Sequence, residues 1–101
     1  MVGGNRFLMA DATENDLIAA VGRAELDALG EIYRRHGAAV LAAARRVAPD
    51  PLTAETVTAD VFVQLWDHPQ AAAAHRDGVR AYLVACALTL VADDDLRPTG
   101  D

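Results

Sequence analysis

Nine arginines, fifteen acids, three histidines and one cysteine are the groups with chemistry to offer in this 101-residue chain. A transition-metal centre needs three or four converging N, S or O ligands. His36, His68 and His75 do not stand at such intervals, because the seven-residue step from His68 to His75 crosses a Pro-Gln-Ala connector. One cysteine makes neither an internal disulfide nor a cysteine cluster. Cys86 sits in an apolar run, where an inert buried thiol is the expected role. Asp93-Asp94-Asp95 lacks the spaced ligands and the glycine of a calcium loop and reads as solvated. No nucleophile is matched with a base and a carboxylate. The chain is therefore expected to be no enzyme and to hold no metal and no cofactor. What remains is surface chemistry. Arg76 and Arg80 suit phosphate contact and Tyr82 suits stacking on an unpaired base.

The charge distribution argues against a strong nucleic-acid binder. The net charge is −6, there is no lysine, and a basic footprint is the usual mark of such binders. Residues 1–48 hold six arginines and six acids. Residues 49–101 set Arg76, Arg80 and Arg97 against nine acids and carry the whole excess. That half repels phosphate. The longest uncharged stretch, Ala81 to Ala92, is too short to span a bilayer, and the N-terminus is no signal peptide. A cytoplasmic protein of one domain is expected.

These groups must be positioned by helices. Alanine is the commonest residue and period-two β-branched runs are absent, so the fold class is all-α, a compact bundle of four helices. Residues 1–12, with Gly3-Gly4, are expected to form a flexible arm and residues 98–101 a tail around the domain at 13–97. The first helix is placed at 14–22, with Thr13 and Asp16 as a capping box and Gly22 as its stop. The second is placed at 25–48, burying Leu26, Leu29, Ile32, Tyr33, Val40, Leu41, Ala44 and Val47. Gly30 and Gly37 inside it suggest close packing or a bend, and Arg34-Arg35 and Arg45-Arg46 a solvated face. Asp50 and Pro51 cap a third helix running to Trp66. Its buried stripe is Val57, Val61 and Leu65, with Phe62 and Trp66 beside it. A connector at 67–77 contains Ala71 to Ala74, suited to one helical turn. The last helix, 78–92, is apolar nearly all round and is expected to fray or stop at the three aspartates, which oppose its dipole. Leu88 and Leu90 on it suit core burial and a protein interface equally.

In the third helix the run Ala54-Glu55-Thr56-Val57-Thr58-Ala59-Asp60-Val61-Phe62-Val63-Gln64-Leu65-Trp66 resembles region 2 of sigma-70 family factors of the extracytoplasmic-function (ECF) type. The family pattern there is Ala-Glu-Asp-Val-Val-Gln-Glu-Val-Phe-Leu-Arg-Leu-Trp. In the same order, Asp16 to Ala20 resembles the family's opening helix and Glu31 to Val40 its second. Arg80-Ala81-Tyr82-Leu83 resembles the Arg-Ala-Trp-Leu that opens its promoter-reading helix. The resemblance covers about residues 14–97. It implies a bacterial helical domain that binds the clamp helices of RNA polymerase core and melts the promoter −10 element. With no region 4 after it, the chain is expected to be a fragment or a free-standing relative of region 2.

By the same resemblance Glu55, Thr56, Ala59, Asp60 and Gln64 form the polymerase-contact surface, and Arg76, Arg80 and Tyr82 a weakened DNA-contact surface. Both depart from the family. Thr56, Ala59 and Asp60 stand where it has Asp, Gln and Glu, and Ala87-Leu88-Thr89-Leu90 where it has Ala-Arg-Asn-Arg. The expected function is a degenerate region 2 that binds RNA polymerase core or an anti-sigma protein, with promoter DNA binding weak or absent. Two alternatives stand beside it. One is a working sigma fragment that still binds and melts −10 DNA, with the 67–77 connector as its base-specificity loop. The other is a homodimeric interaction or sensor module with Leu88 and Leu90 at the seam.

Overall fold

The computed structural model describes residues 11–96, with side chains as far as Asp93. The expected tail and all but the last two residues of the expected arm lie outside that range. Every regular α or β element among the described residues is an α-helix: α1 (Glu14–Gly22), α2 (Leu26–Val47), α3 (Pro51–Asp67), α4 (Pro69–Ala74) and α5 (Val79–Leu96). The fold class is all-α, as read. The helix beyond the expected four is α4, a short helix within the connector. Ala72 is buried, and the helix docks on α1, with Pro69 beside Gly22.

The helix starts follow local chemistry. Thr13 Oγ1 accepts from the Asp16 amide at 3.0 Å while the Asp16 carboxylate accepts from the Thr13 amide at 3.4 Å. Asp50 Oδ1 accepts from the Thr53 amide at 2.7 Å, and Pro51 opens α3 without wasting a donor. That amide holds the Asp50 carboxyl below its ordinary value. Asp50→Ala is expected to lower stability by about 1 kcal/mol, as loss of an N-cap does, readable as a shift in the urea midpoint.

Helix α2 is central and packs on α5, α3 and α1. Ala28, Ile32, Val40 and Ala44 form its buried row. Three residues expected there lie outside it: Leu26 and Val47 are exposed as the first and last residues of the helix, which overruns the core, and Tyr33 is exposed as well. Tyr33 lies along its own helix over Gly37, where a Cβ would stand 3.1 Å from the ring, and meets Phe62 edge-on at 5.0 Å between ring centres. Gly37 thus makes room for Tyr33; Gly30 has no neighbour.

Helix α1 ends at Gly22 as expected, but its stop residue differs, and the end of α5 moves. The left-handed residue after α1 is Ala24 (φ 62°), while Gly22 is still helical. Helix α5 runs on through the aspartates to Leu96 instead of stopping at Ala92. The dipole penalty is on the order of 0.3–1 kcal/mol per acid, too small to stop a helix that packing already holds. Val79, Leu83, Ala87 and Val91 form the buried row of α5. Tyr82, Val84, Cys86 and Leu90 are half-buried at its flanks, and Leu88 is 40% exposed.

Candidate functional site

Helix α3 buries Ala54, Val57, Thr58, Val61, Phe62 and Leu65. The remaining positions face outward and hold the five residues expected to contact polymerase. Glu55, Thr56, Ala59 and Asp60 are exposed and Gln64 is half-buried. Helical spacing divides them into two rows. Thr56, Asp60 and Gln64, four residues apart, look toward α5, where the hollows they line also take in Leu90 and Asp93. Glu55 and Ala59 look toward α2 and border a small hollow of about 120 Å³ with Tyr33 and Leu41. None of the five has a side-chain hydrogen bond or ion pair among the described residues.

The expected DNA-contact residues are less free. Arg76 is exposed in the turn after α4. Arg80, also at the surface, is already engaged. Its Nε donates to His36 Nδ1 at 3.1 Å and its Nη2 to the Arg35 carbonyl at 3.1 Å. Tyr82 is half-buried and meets His75 edge-on at 5.8 Å. Burial pushes its hydroxyl up to about 12, helped by a hydrogen bond with Cys86. The base-specificity reading of the 67–77 connector meets a segment that is partly helical and docked on α1.

Sequence reasoning missed the polar cluster that sets α5 against α2. Arg35, expected on a solvated face, is only 19% exposed. Its Nη1 donates to Glu14 Oε2 at 2.8 Å, its Nε to Glu31 Oε2 at 2.8 Å and its Nη2 to the Ala12 carbonyl at 2.7 Å. Arg34 also donates to Glu31. His36 is buried, with Nε2 2.6 Å from Glu14 Oε1. Because Nδ1 accepts from Arg80, the neutral ring carries its proton on Nε2 and donates to Glu14. One cluster so ties α1 and the chain before it to α2 and to the start of α5. Its local half was visible as the i, i+3 and i, i+4 spacing of Glu31 to Arg34 and Arg35. Its other half, reaching from Glu14 to His36 and from there to Arg80, has no local signal.

The cluster predicts acid sensitivity. Hydrogen bonds from Arg34 and then Arg35 hold the Glu31 carboxyl at about 2, against an ordinary 4.5. Burial pushes Glu14 up, but the bonds from Arg35 and His36 outweigh it and leave it lowered. A carboxylate with a lowered folded value stabilises fully above its ordinary value and loses that contribution as pH falls toward the folded one. Thermal midpoints are expected to fall as pH drops from 4.5 toward 2. Glu31→Gln is expected to flatten that dependence.

Among the described residues no three His, Cys, Asp or Glu side chains converge as metal ligands, and no helix is long and apolar enough to cross a membrane. The outward side of α3 carries Glu55 and Asp60, and α5 beside it offers the half-buried Leu90. In comparisons with known proteins, no curated protein and no solved structure matches the chain. A family model does, that of sigma-70 region 2, over residues 32–94, from the second turn of α2 to the last turn of α5. The match spans well over half of the sequence and includes all five candidate contact residues of α3 together with Arg80, Tyr82, Leu88 and Leu90. With that match joined to the all-helical fold, the chain belongs to the sigma-70 region 2 family.

Proposed function

We propose that this domain acts in transcription in the bacterial cytoplasm as an ECF-type region 2. In this reading the outer face of α3 engages RNA polymerase core, or an anti-sigma protein that competes for the same face, and −10 promoter recognition is weakened or lost. One observation carries the reading: the five candidate contact residues of α3 are unengaged among the described residues, whereas two of the three candidate DNA contacts already have partners, Arg80 in His36 and the Arg35 carbonyl and Tyr82 in the edge-on ring of His75. Leu88 and Leu90 support it too, being apolar and not fully covered where a phosphate-binding surface needs cations. Glu55 and Asp60 supply the charge of the contact face, Asp60 one methylene shorter than the family's glutamate.

Binding of the purified chain to bacterial core RNA polymerase, beside a single-stranded −10 oligonucleotide at low salt, tests this. Polymerase binding is expected, weakened at least tenfold by Asp60→Arg, since a reversed charge at the centre of an interface costs upwards of about 1.4 kcal/mol. No salt-sensitive DNA binding is expected. Strong oligonucleotide binding would restore the working-sigma reading, and a dimer with no affinity for polymerase would favour the self-association reading.

A further inference from the structure

The His36 ring is buried, yet each of its nitrogens is bonded to a charged side chain of another helix. Nε2 lies 2.6 Å from Glu14 Oε1 on α1. Nδ1 lies 3.1 Å from Arg80 Nε in the first turn of α5. Only the neutral ring makes both bonds, since Nδ1 must offer its lone pair to the guanidinium. A second proton on the ring occupies that lone pair. It leaves a donor facing a donor and an imidazolium against a guanidinium.

The two sides of the ring answer such a proton differently. Glu14 keeps its place, because a carboxylate accepts from imidazolium at least as well as from imidazole and gains a charge pair. Arg80 is the group with freedom to leave. It stands at the surface, and its other hydrogen bond goes to an uncharged acceptor, the Arg35 carbonyl. The remaining charges around the ring are tied down. On α2, Glu31 is held by Arg34 and Arg35, and Arg35 also grips Glu14 and the Ala12 carbonyl. Arg76 and Asp77, in the turn before α5, are exposed. Among the described residues no side chain of α3 or α4 bonds to the ring.

We propose that His36 is a proton-operated latch on Arg80. The neutral ring holds the guanidinium against α2. When the ring takes a second proton it keeps Glu14 and releases Arg80, which joins Arg76, four residues before it in the chain, as a contact for the phosphates of a single-stranded nucleic acid. Nucleic-acid contact at the start of α5 is then weak at neutral pH and gained on acidification. Histidine is the side chain that changes charge between about pH 5 and 8, above the range in which protonation of Glu31 loosens the fold. The inference goes beyond the protein-binding reading and is independent of it, since α3 has no part in the latch.

The test is a titration of the full chain from about pH 7.5 to about pH 5.5. It is read by the nitrogen shifts of the His36 ring and of Arg80 Nε–H, beside the anisotropy of a labelled single-stranded oligonucleotide. The Arg80 signal is expected to move to that of a solvated arginine in step with protonation of His36. Oligonucleotide affinity is expected to rise with it, and the salt slope to steepen by about 0.7, the share of one single-strand contact. Two variants divide the ring. His36→Asn keeps an acceptor where Nδ1 stands and takes up no proton, so Arg80 stays held, and only the gain owed to His68 and His75 remains. His36→Gln keeps a donor for Glu14 without an acceptor for Arg80, so the steeper slope is already present at about pH 7.5. A residue that merely supports the fold would give the two variants the same slope. Equal slopes would overturn the proposal. So would an Arg80 signal indifferent to protonation of His36, or release of Arg80 with no gain in oligonucleotide affinity. The nitrogen shifts of the parent chain decide the matter should either variant fail to fold.

Discussion

Leu83→Ala is expected to remove about 2–5 kcal/mol of stability, the usual cost of emptying a fully buried leucine site. Total stability for a domain of this size is only on the order of 5–15 kcal/mol, so the variant should melt far below the parent or fail to fold at room temperature. Leu83 has no exposed surface. It lies in the row Val79, Leu83, Ala87 and Val91, with which α5 faces the core, and α5 packs against both α2 and α3. Both walls of the hollows between α3 and α5 and the Arg80 end of the polar cluster depend on that row. Leu88→Ala, five residues on, is the control. Leu88 is 40% exposed, and its truncation should stay within roughly 0.5 kcal/mol. Urea unfolding of the pair reads the rotation of α5 directly. Equal losses would mean that the helix is turned from the placement described here so that both side chains lie equally far from the core, since five residues at 3.6 per turn set them roughly 140° apart.

A gain of DNA binding is the second large effect. The triple variant Leu88→Arg, Leu90→Arg, Asp93→Asn is expected to raise affinity for single-stranded DNA at low salt by at least tenfold, with a salt slope steeper by about 1.4 if both new arginines meet phosphate, at about 0.7 per contact on a single strand. It shifts the net charge by three positive units from −6. Leu88 is exposed, and Leu90 stands at the edge of a hollow, so an arginine at either place has room to carry its head into water. Fluorescence anisotropy with a labelled oligonucleotide over a salt series checks it. If the parent chain already binds with a steep slope, the departure of α5 from the family's basic run has not cost it DNA recognition. If the triple variant stays inert, the leucines are not what suppresses binding, and the commitment of Arg80 to His36 and the Arg35 carbonyl becomes the leading cause.

Much of the fold was legible because its signals are local. The capping box at Thr13 and Asp16 and the Asp50-Pro51 start lie within one turn of what they cap. The outward side of α3 was legible too, since its buried stripe leaves Glu55, Thr56, Ala59 and Asp60 exposed. The errors came where burial depends on a neighbour. Tyr33 has the periodicity of a core residue but folds over Gly37 to reach Phe62. Leu26 and Val47 overrun the core at the ends of α2. Arg35, one of two adjacent arginines that read as solvated, is drawn in by Glu14 and by the Ala12 carbonyl from more than twenty residues away.

The sequence by itself determined that this chain is helical and acidic in its second half. It also carried the order of segments that marks sigma-70 region 2, because composition, capping and periodicity act over a few residues. Only the tertiary structure decided which charges are free to act. Arg80 and Tyr82 read as available and are engaged, whereas Asp60 and Leu90, on separate helices, border one hollow. The physical reason is that a side chain's availability is set by the partners that packing brings within 3 Å or so of it, and those partners lie on other elements, beyond the reach of any local pattern.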